Sequence, residues 1–362
     1  MTLRLDDLQS PALLIRLDRV RNNLAQMMEF VGGQPDRWRP HVKSSKIPEV
    51  LDLVLDVGVR NFKCATSREA VVLLSRRSSG LDLLVAMAHR GANLRRVADI
   101  AKSFPDHRVS VLTEDKEHAH EITRLNPDLG IFVDLDPGYH RTGIPFDDRT
   151  RIASAIAAAG NSLRGLHCYD GHLADLSPAE RAGECEAIYD TLIEIAREMG
   201  GEDLELITSG TPTFPEALRH EGLRDFNHKI SPGTVVYWDV RSESLAISGF
   251  QPAASVLARI MSSPEQGLLT CDAGSKALDA SVGDPCAQVE GWEHLEALHP
   301  SEEHLPIRVL AGEAPPPGTL IQLVPAHVCP TVNLADQAVL MEEDQVVSIV
   351  DVAARGHEVT LS

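Results

Sequence analysis

Along the first two thirds of the chain, short apolar runs rich in β-forming residues alternate with segments of helical period. The runs are "WRPHVK" (38–43), "NFKCAT" (61–66), "LDLLVAM" (81–87), "RVSVLT" (108–113), "LGIFVDLD" (129–136), "LRGLHCY" (163–169), "LELITSG" (204–210) and "NHKISPG" (227–233). Each reads as a strand. Between them, "PEVLDLVLDVG" (48–58), "SREAVVLLSRR" (67–77), "DRTRIASAIAAAG" (148–160) and "SPAERAGECEAIYDTLIEIAREMG" (177–200) repeat their apolar positions at helical spacing. Ser67 and Ser177 stand where a hydroxyl would cap the first turn, and Glu180 completes a capping box with Ser177. Gly58, Gly160 and Gly200 stand where helices should stop. Strands alternating with helices predict an α/β fold, a parallel (β/α)8 barrel of the TIM type over residues 13–245.

From residue 246 to 362 the texture changes. "AASVLARIMSS", "GLLTCDAG", "IRVLAG", "GTLIQLVPAHVC", "QAVLMEE" and "VVSIVDVAAR" are strand-like and separated by Gly/Pro turns. They predict a C-terminal all-β domain.

Composition narrows the class of partner. The chain of 362 residues has room for a barrel and an addition, and its net charge of -19 disfavours nucleic acid and anionic membrane. The opening "MTLRLDDLQSPALLIRLDRVRNNL" carries charges throughout, with no apolar signal region, and no run is long enough to span a bilayer. The six cysteines are scattered without a CxxC pair, as expected of reduced thiols in a cytoplasmic protein.

In a barrel of this type, chemistry collects at the C-terminal ends of the strands. "RPHVKSSK" (39–46) ends the first strand in Lys43, with His41 on the same face. The fifth strand leads to Arg141, the sixth to "HCYDGH", and the seventh and eighth to "TSGT" and "SPGT". Small loops after strands seven and eight are the usual phosphate site of such barrels, which nominates Ser209, Gly210, Thr211, Gly233 and Thr234. A phosphate site together with a lysine at the mouth suggests pyridoxal 5'-phosphate, which needs a Schiff-base lysine, a phosphate anchor and groups that tune its ring.

Taken in order, "SPALLIRLDRVRNNL" (10–24), "RPHVKSSK", "HRTG" (140–143), "YDGH" (169–172), "SGTPTF" (209–214), "SPGTVVYWD" (231–239), "DAGSKALD" (272–279) and "PAHVCPTVNL" (325–334) carry a further signal. The chain resembles the fold-type III pyridoxal phosphate enzymes with an alanine racemase-like barrel, and within them the D-serine dehydratase and D-threonine aldolase group. The resemblance implies that Lys43 carries the cofactor, that His41 and Tyr169 lie near it, and that Arg141 helps set its electronics. It implies His327 and Cys329 as ligands of a divalent metal, zinc by the chemistry of imidazole and thiolate. In an extended segment these two would share a face. It further implies a homodimer, and that residues 1–12 pack with the β domain.

The sequence departs from the family in three places. Ser44 and Ser45 follow Lys43 where the family has threonine and histidine, Asp175 replaces an expected aldolase histidine, and Cys329 stands where aldolases favour aspartate. The expected reaction is therefore β-elimination from a small D-3-hydroxy amino acid to a 2-oxo acid and ammonia, with the metal polarising the hydroxyl. The alternative is retro-aldol cleavage to glycine and an aldehyde, with His172 or Asp175 as base. An alanine-type racemase is disfavoured because no tyrosine follows Tyr237. A non-catalytic cofactor carrier is disfavoured by the extra domain. Lys46, Lys63 and Lys276 read as structural or substrate-carboxylate lysines, and His89, His140, His167 and His228 as satisfied barrel histidines.

Overall fold

The computed structural model describes residues 4–76, 78–201 and 203–360. The extreme residues of the expected β domain, 1–3 and 361–362, lie outside the described residues. Internal packing divides the chain into two units, one made of residues up to 26, 44–53 and 234–356, the other of 27–43, 54–233 and the tail from 357.

Strand β1 (Ala12–Arg16) belongs to the first unit, and strands β2 to β9 build the second. They are β2 (Asn61–Cys64), β3 (Asp82–Val85), β4 (Arg108–Thr113), β5 (Gly130–Asp136), the short β6 (Ile144–Pro145), β7 (Leu163–Cys168), β8 (Glu205–Thr208) and β9 (Asn227–Ile230). The order β2-β3-β4-β5-β7-β8-β9 is parallel throughout, with β6 paired to β5 alone. Every residue of β5 is buried, as in a parallel strand covered on both faces.

The expected first strand at 38–43 is different. Trp38 forms an isolated parallel bridge with Ile230 of β9, and His41 forms one with Lys63 of β2. The Arg39 N–H donates to Ile230 O and the Lys63 N–H to Pro40 O, both at 2.9 Å. Pro40 has no N–H to give, so a regular ladder cannot propagate through it. The chain then turns into the short helix Val42–Ser45, and Lys43 sits in that helix rather than at a strand end. The observed sheet is thus a set of parallel ladders whose two outer strands each bridge to 38–41.

The expected helices are present between the strands, with one cap corrected. Ser177 and Glu180 form the capping box of Pro178–Met199. For Ser67–Leu74 the cap is Thr66 with Glu69, not Ser67. The N-terminal ends of the strands are closed by ions. Arg39 is fully buried and reaches Asp82 at 3.0 Å and Glu205 at 2.7 Å. Arg164 adds contacts of 2.8 Å to Asp82 and 3.4 Å to Glu205. Both guanidiniums stand over the Phe132 ring.

In the first unit, the strands are β10 (Ala254–Glu265), β11 (Leu268–Cys271), β12 (Ala287–Val289), β13 (Leu295–Ala297), β14 (Leu305–Val309), β15 (Leu320–Pro325), β16 (Gln337–Glu342) and β17 (Gln345–Asp351). β10 pairs with β15 through its first half and with β11 through its second. The path β10-β11-β14-β13-β12-β15 therefore closes on itself as an antiparallel barrel, packed on residues such as Val256, Ile260, Leu269, Ile307 and Leu323. β1 lies between β10, antiparallel, and β16, parallel. The C-terminal all-β expectation holds. β12 and β13, three residues each, are too short to show a period.

Candidate active site

The C-terminal ends of the second unit's strands bring most of the expected residues together. The Lys43 side chain is exposed, and its backbone N–H donates to His41 Nδ1 at 3.2 Å. His41 is buried beside β2. The Trp38 indole N–H donates to Pro232 O at 2.9 Å and Ser231 Oγ donates to Arg39 O at 2.8 Å, which fixes the loop that ends in buried Gly233.

After β5, the Asp136 carboxylate accepts the N–H groups of Gly138 and His140, folding a tight turn. That turn presents Tyr139 and Arg141. The Arg141 guanidinium lies 4.6 Å from the Tyr139 ring centre and 5.0 Å from that of Tyr169. Tyr139 also stacks on His172 at 5.5 Å. Sequence reasoning missed Tyr139, although it stands two residues before Arg141.

After β7 and β8 come Tyr169 and the phosphate candidates. Buried Asp170 accepts from Tyr189 Oη at 2.6 Å and from Thr213 Oγ1 at 2.7 Å, and Thr213 Oγ1 in turn accepts the Gly210 N–H. Burial raises the Asp170 pKa, although the two hydroxyls oppose the rise. This network braces the 209–213 loop against Tyr169. A Cβ on Gly210 would stand 2.9 Å from Tyr169 Cε2, so the close approach needs glycine. Ser209 adopts φ +63°, and its fully buried Oγ has no hydrogen-bond partner. Thr211, two residues on, is buried as well. His172 lies in the turn Gly171–Asp175 with its buried Nδ1 unpartnered, and Asp175 is exposed at the end of that turn.

An exposed lysine amine, an unsatisfied buried hydroxyl on a left-handed turn, and an aromatic ring under a guanidinium fit a phosphorylated aromatic aldehyde.

Below this surface lies a group that the sequence reading took as bland. Lys63 is buried, with Nζ 3.4 Å from His167 Nε2, and His167 Nδ1 lies 2.6 Å from Asp134 Oδ1. The other singled-out groups behave as structural. Lys46 reaches Ala354 O at 3.4 Å, and Lys276 pairs with Glu302 and Glu303 at the surface. His228 meets Thr208 Oγ1 at 2.8 Å, and burial pushes its pKa down to about 3. His140 pairs with Asp136, and the His89 carbonyl accepts from His118.

The remaining candidates lie in the first unit. The 325–334 segment is not extended: His327 caps the helix Val328–Leu334 and Cys329 falls in its first turn. Asp239 Oδ2 accepts the Val328 N–H at 3.1 Å and holds that turn in place. The two side chains still meet. Burial opposes charge on His327, but hydrogen bonding to Cys329 and the nearby Asp239 and Asp279 outweigh it and raise the pKa. Cys329 is buried, with Sγ 3.0 Å from Ser44 Oγ and 3.6 Å from Thr234 Oγ1. Among the described residues no group of three or more His, Cys, Asp or Glu is gathered as a metal site.

Comparison with known proteins decides the family. The model of the alanine racemase N-terminal domain matches residues 15–239, and a domain model named for serine dehydratase matches 253–341. The chain belongs to the fold-type III pyridoxal phosphate family of D-serine dehydratase and D-threonine aldolase. Members of this family are pyridoxal phosphate-dependent, and the chain is a lyase of that kind. It is 27% identical to the D-threonine aldolase of an Arthrobacter species, over 96% of this chain and 93% of the relative. It is 24% identical to the D-threo-3-hydroxyaspartate dehydratase of Delftia sp. strain HT23, over 90% and 92%. The crystal structure of D-threonine aldolase from Filomicrobium marinum superposes with a TM-score of 0.85 at 26% identity, covering 98% of each chain. No described helix is long and apolar enough to cross a membrane.

Proposed function

We propose that the protein eliminates water from a small D-3-hydroxy amino acid, giving a 2-oxo acid and ammonia. The observation that carries this reading is the meeting of His327 and Cys329 at the start of one helix, an imidazole–thiolate pair suited to zinc. The 24% identity to a D-threo-3-hydroxyaspartate dehydratase, over 90% of this chain, supports the elimination reading. Zinc held by His327 and Cys329 would supply Lewis acidity toward the substrate hydroxyl. Pyridoxal phosphate, when bound, supplies an electron sink for the charge left at Cα.

The chain's own residues then have separate tasks. Lys43 would hold the cofactor, and its amine would serve as the base for the α-proton. Ser209 Oγ would donate to the phosphate, with Gly210, Thr211 and Gly233 leaving backbone room around it. Arg141 and Tyr169 hold the ring's surroundings fixed. Net loss of water from the substrate, followed by hydrolysis, would give the 2-oxo acid and ammonia. We read the parallel sheet with its bridged segment 38–41 as a (β/α)8 barrel. We also read the protein as a cytoplasmic homodimer, a location supported by six free cysteines.

A second reading, retro-aldol cleavage, is favoured by His172. Its unpartnered Nδ1 could take a hydroxyl proton. Two assays test the proposal. Borohydride reduction of the loaded protein should fix the cofactor on Lys43, and D-serine should yield pyruvate and ammonia. Cofactor fixed equally well in Lys43→Ala would overturn the choice of lysine.

A further inference from the structure

The reading of Lys43 as the cofactor lysine raises a question about Lys63, the buried lysine whose backbone bridges to His41. A buried ammonium is costly unless it is paired, and among the described residues Lys63 has no carboxylate in direct contact. Its neighbours are instead arranged as a chain. A carboxylate only accepts, so Asp134 fixes the proton of His167 on Nδ1. That leaves the Nε2 lone pair facing Lys63 Nζ. The rest of the surroundings are the Tyr169 ring at 5.5 Å, Arg141 and Lys43 as like charges, and Asp134 and Asp170 as opposite ones. His41 of the lysine-bearing segment bridges directly to the Lys63 backbone.

We propose that Lys63 is a positioning residue for Lys43, a proton acceptor backed by His167 and Asp134 that takes up the proton Lys43 acquires and returns Lys43 to the free amine. The step balances: an N–H bond breaks at Lys43 and one forms at Lys63, and the charge gained at Lys63 is met by the His167 lone pair and the Asp134 carboxylate. Burial, then the nearby Lys43, lower the Lys63 pKa to about 7, so the amine is free to accept near neutrality.

The test has two arms. In apoprotein labelled with 13C at lysine Cε, Lys63 should titrate near neutrality in the NMR spectrum, its resonance identified by Lys63→Arg. Its midpoint should rise in Lys43→Met, which removes a like charge, and fall in Asp134→Asn, which removes an opposite one. A midpoint in the ordinary lysine range, or one indifferent to Lys43, would overturn the proposal. In holoprotein, Lys63→Met should still show cofactor fixed on Lys43 by borohydride. It should lose tenfold or more in kcat with KM little changed, and lose the acidic limb of the rate profile near pH 7. Lys63→Arg, charged at every pH, should not rescue; rescue would mean that charge alone matters. If the wild-type protein fixes no cofactor on Lys43, the underlying reading fails, and the apoprotein titration judges the lysine pair separately.

Discussion

Cys329 Sγ lies 3.0 Å from Ser44 Oγ, within the same unit, and its helix-capping neighbour His327 completes an imidazole–cysteine pair. On the proposed reading, two protein donors would leave a bound zinc positions open for water and substrate. Purified protein reconstituted with zinc should hold about one ion per chain by elemental analysis. Cys329→Ala and His327→Ala should each lose most of it. Stoichiometric zinc in both variants would place the metal elsewhere.

Ser209 offers a separate test of the phosphate site. Its Oγ has no partner among the described residues, so Ser209→Ala should leave the melting temperature of the apoprotein unchanged. A hydrogen bond to a charged group contributes about 1.5–3 kcal/mol, so cofactor affinity should fall by tenfold or more. Gly210→Val should weaken binding as well, because its Cβ would press on Tyr169. Both are read by cofactor titration. Unchanged affinity in Ser209→Ala would remove that hydroxyl from the site.

The ion cluster at the opposite ends of the strands is structural. Glu205→Ala would leave Arg39, fully buried, with Asp82 as its remaining carboxylate. Breaking such a pair costs about 3–5 kcal/mol, measured by denaturant unfolding, with the bound-cofactor spectrum of the folded fraction unaltered.

The pH dependence of stability follows from two groups. Burial opposes charge on Asp82, but Arg39 and Arg164 overcome it and lower its pKa below the usual 3.8. Its contribution is fully present above that value and is lost as pH falls through the folded-state pKa. His228 is held neutral by burial, at about 3 against 6.5. Between those values the unfolded chain binds the extra proton, so stability falls as pH drops from 6.5 toward 3. His228→Gln should flatten the unfolding free energy across that window, and an unchanged slope would contradict the assignment.

The sequence made the parallel strands legible because each is a compact apolar run between helical segments, and β4 matches its predicted bounds residue for residue. The segment 38–43 misled because Pro40 interrupts its ladder and the chain coils at Val42, a consequence of context that no local pattern displays. His327 and Cys329 were nominated by resemblance, while their helical setting was hidden by the β-branched residues of "PTVNL". Asp170 and the Lys63–His167–Asp134 chain were missed for one reason. Their partners are 19 to 104 residues away in sequence, and only folding brings them together.

The most direct test of the account is product analysis after incubating the protein with pyridoxal phosphate, zinc and D-threonine. The account predicts 2-oxobutanoate and ammonia in equal amounts, lost in Cys329→Ala. Glycine and acetaldehyde in their place would contradict it and establish retro-aldol cleavage.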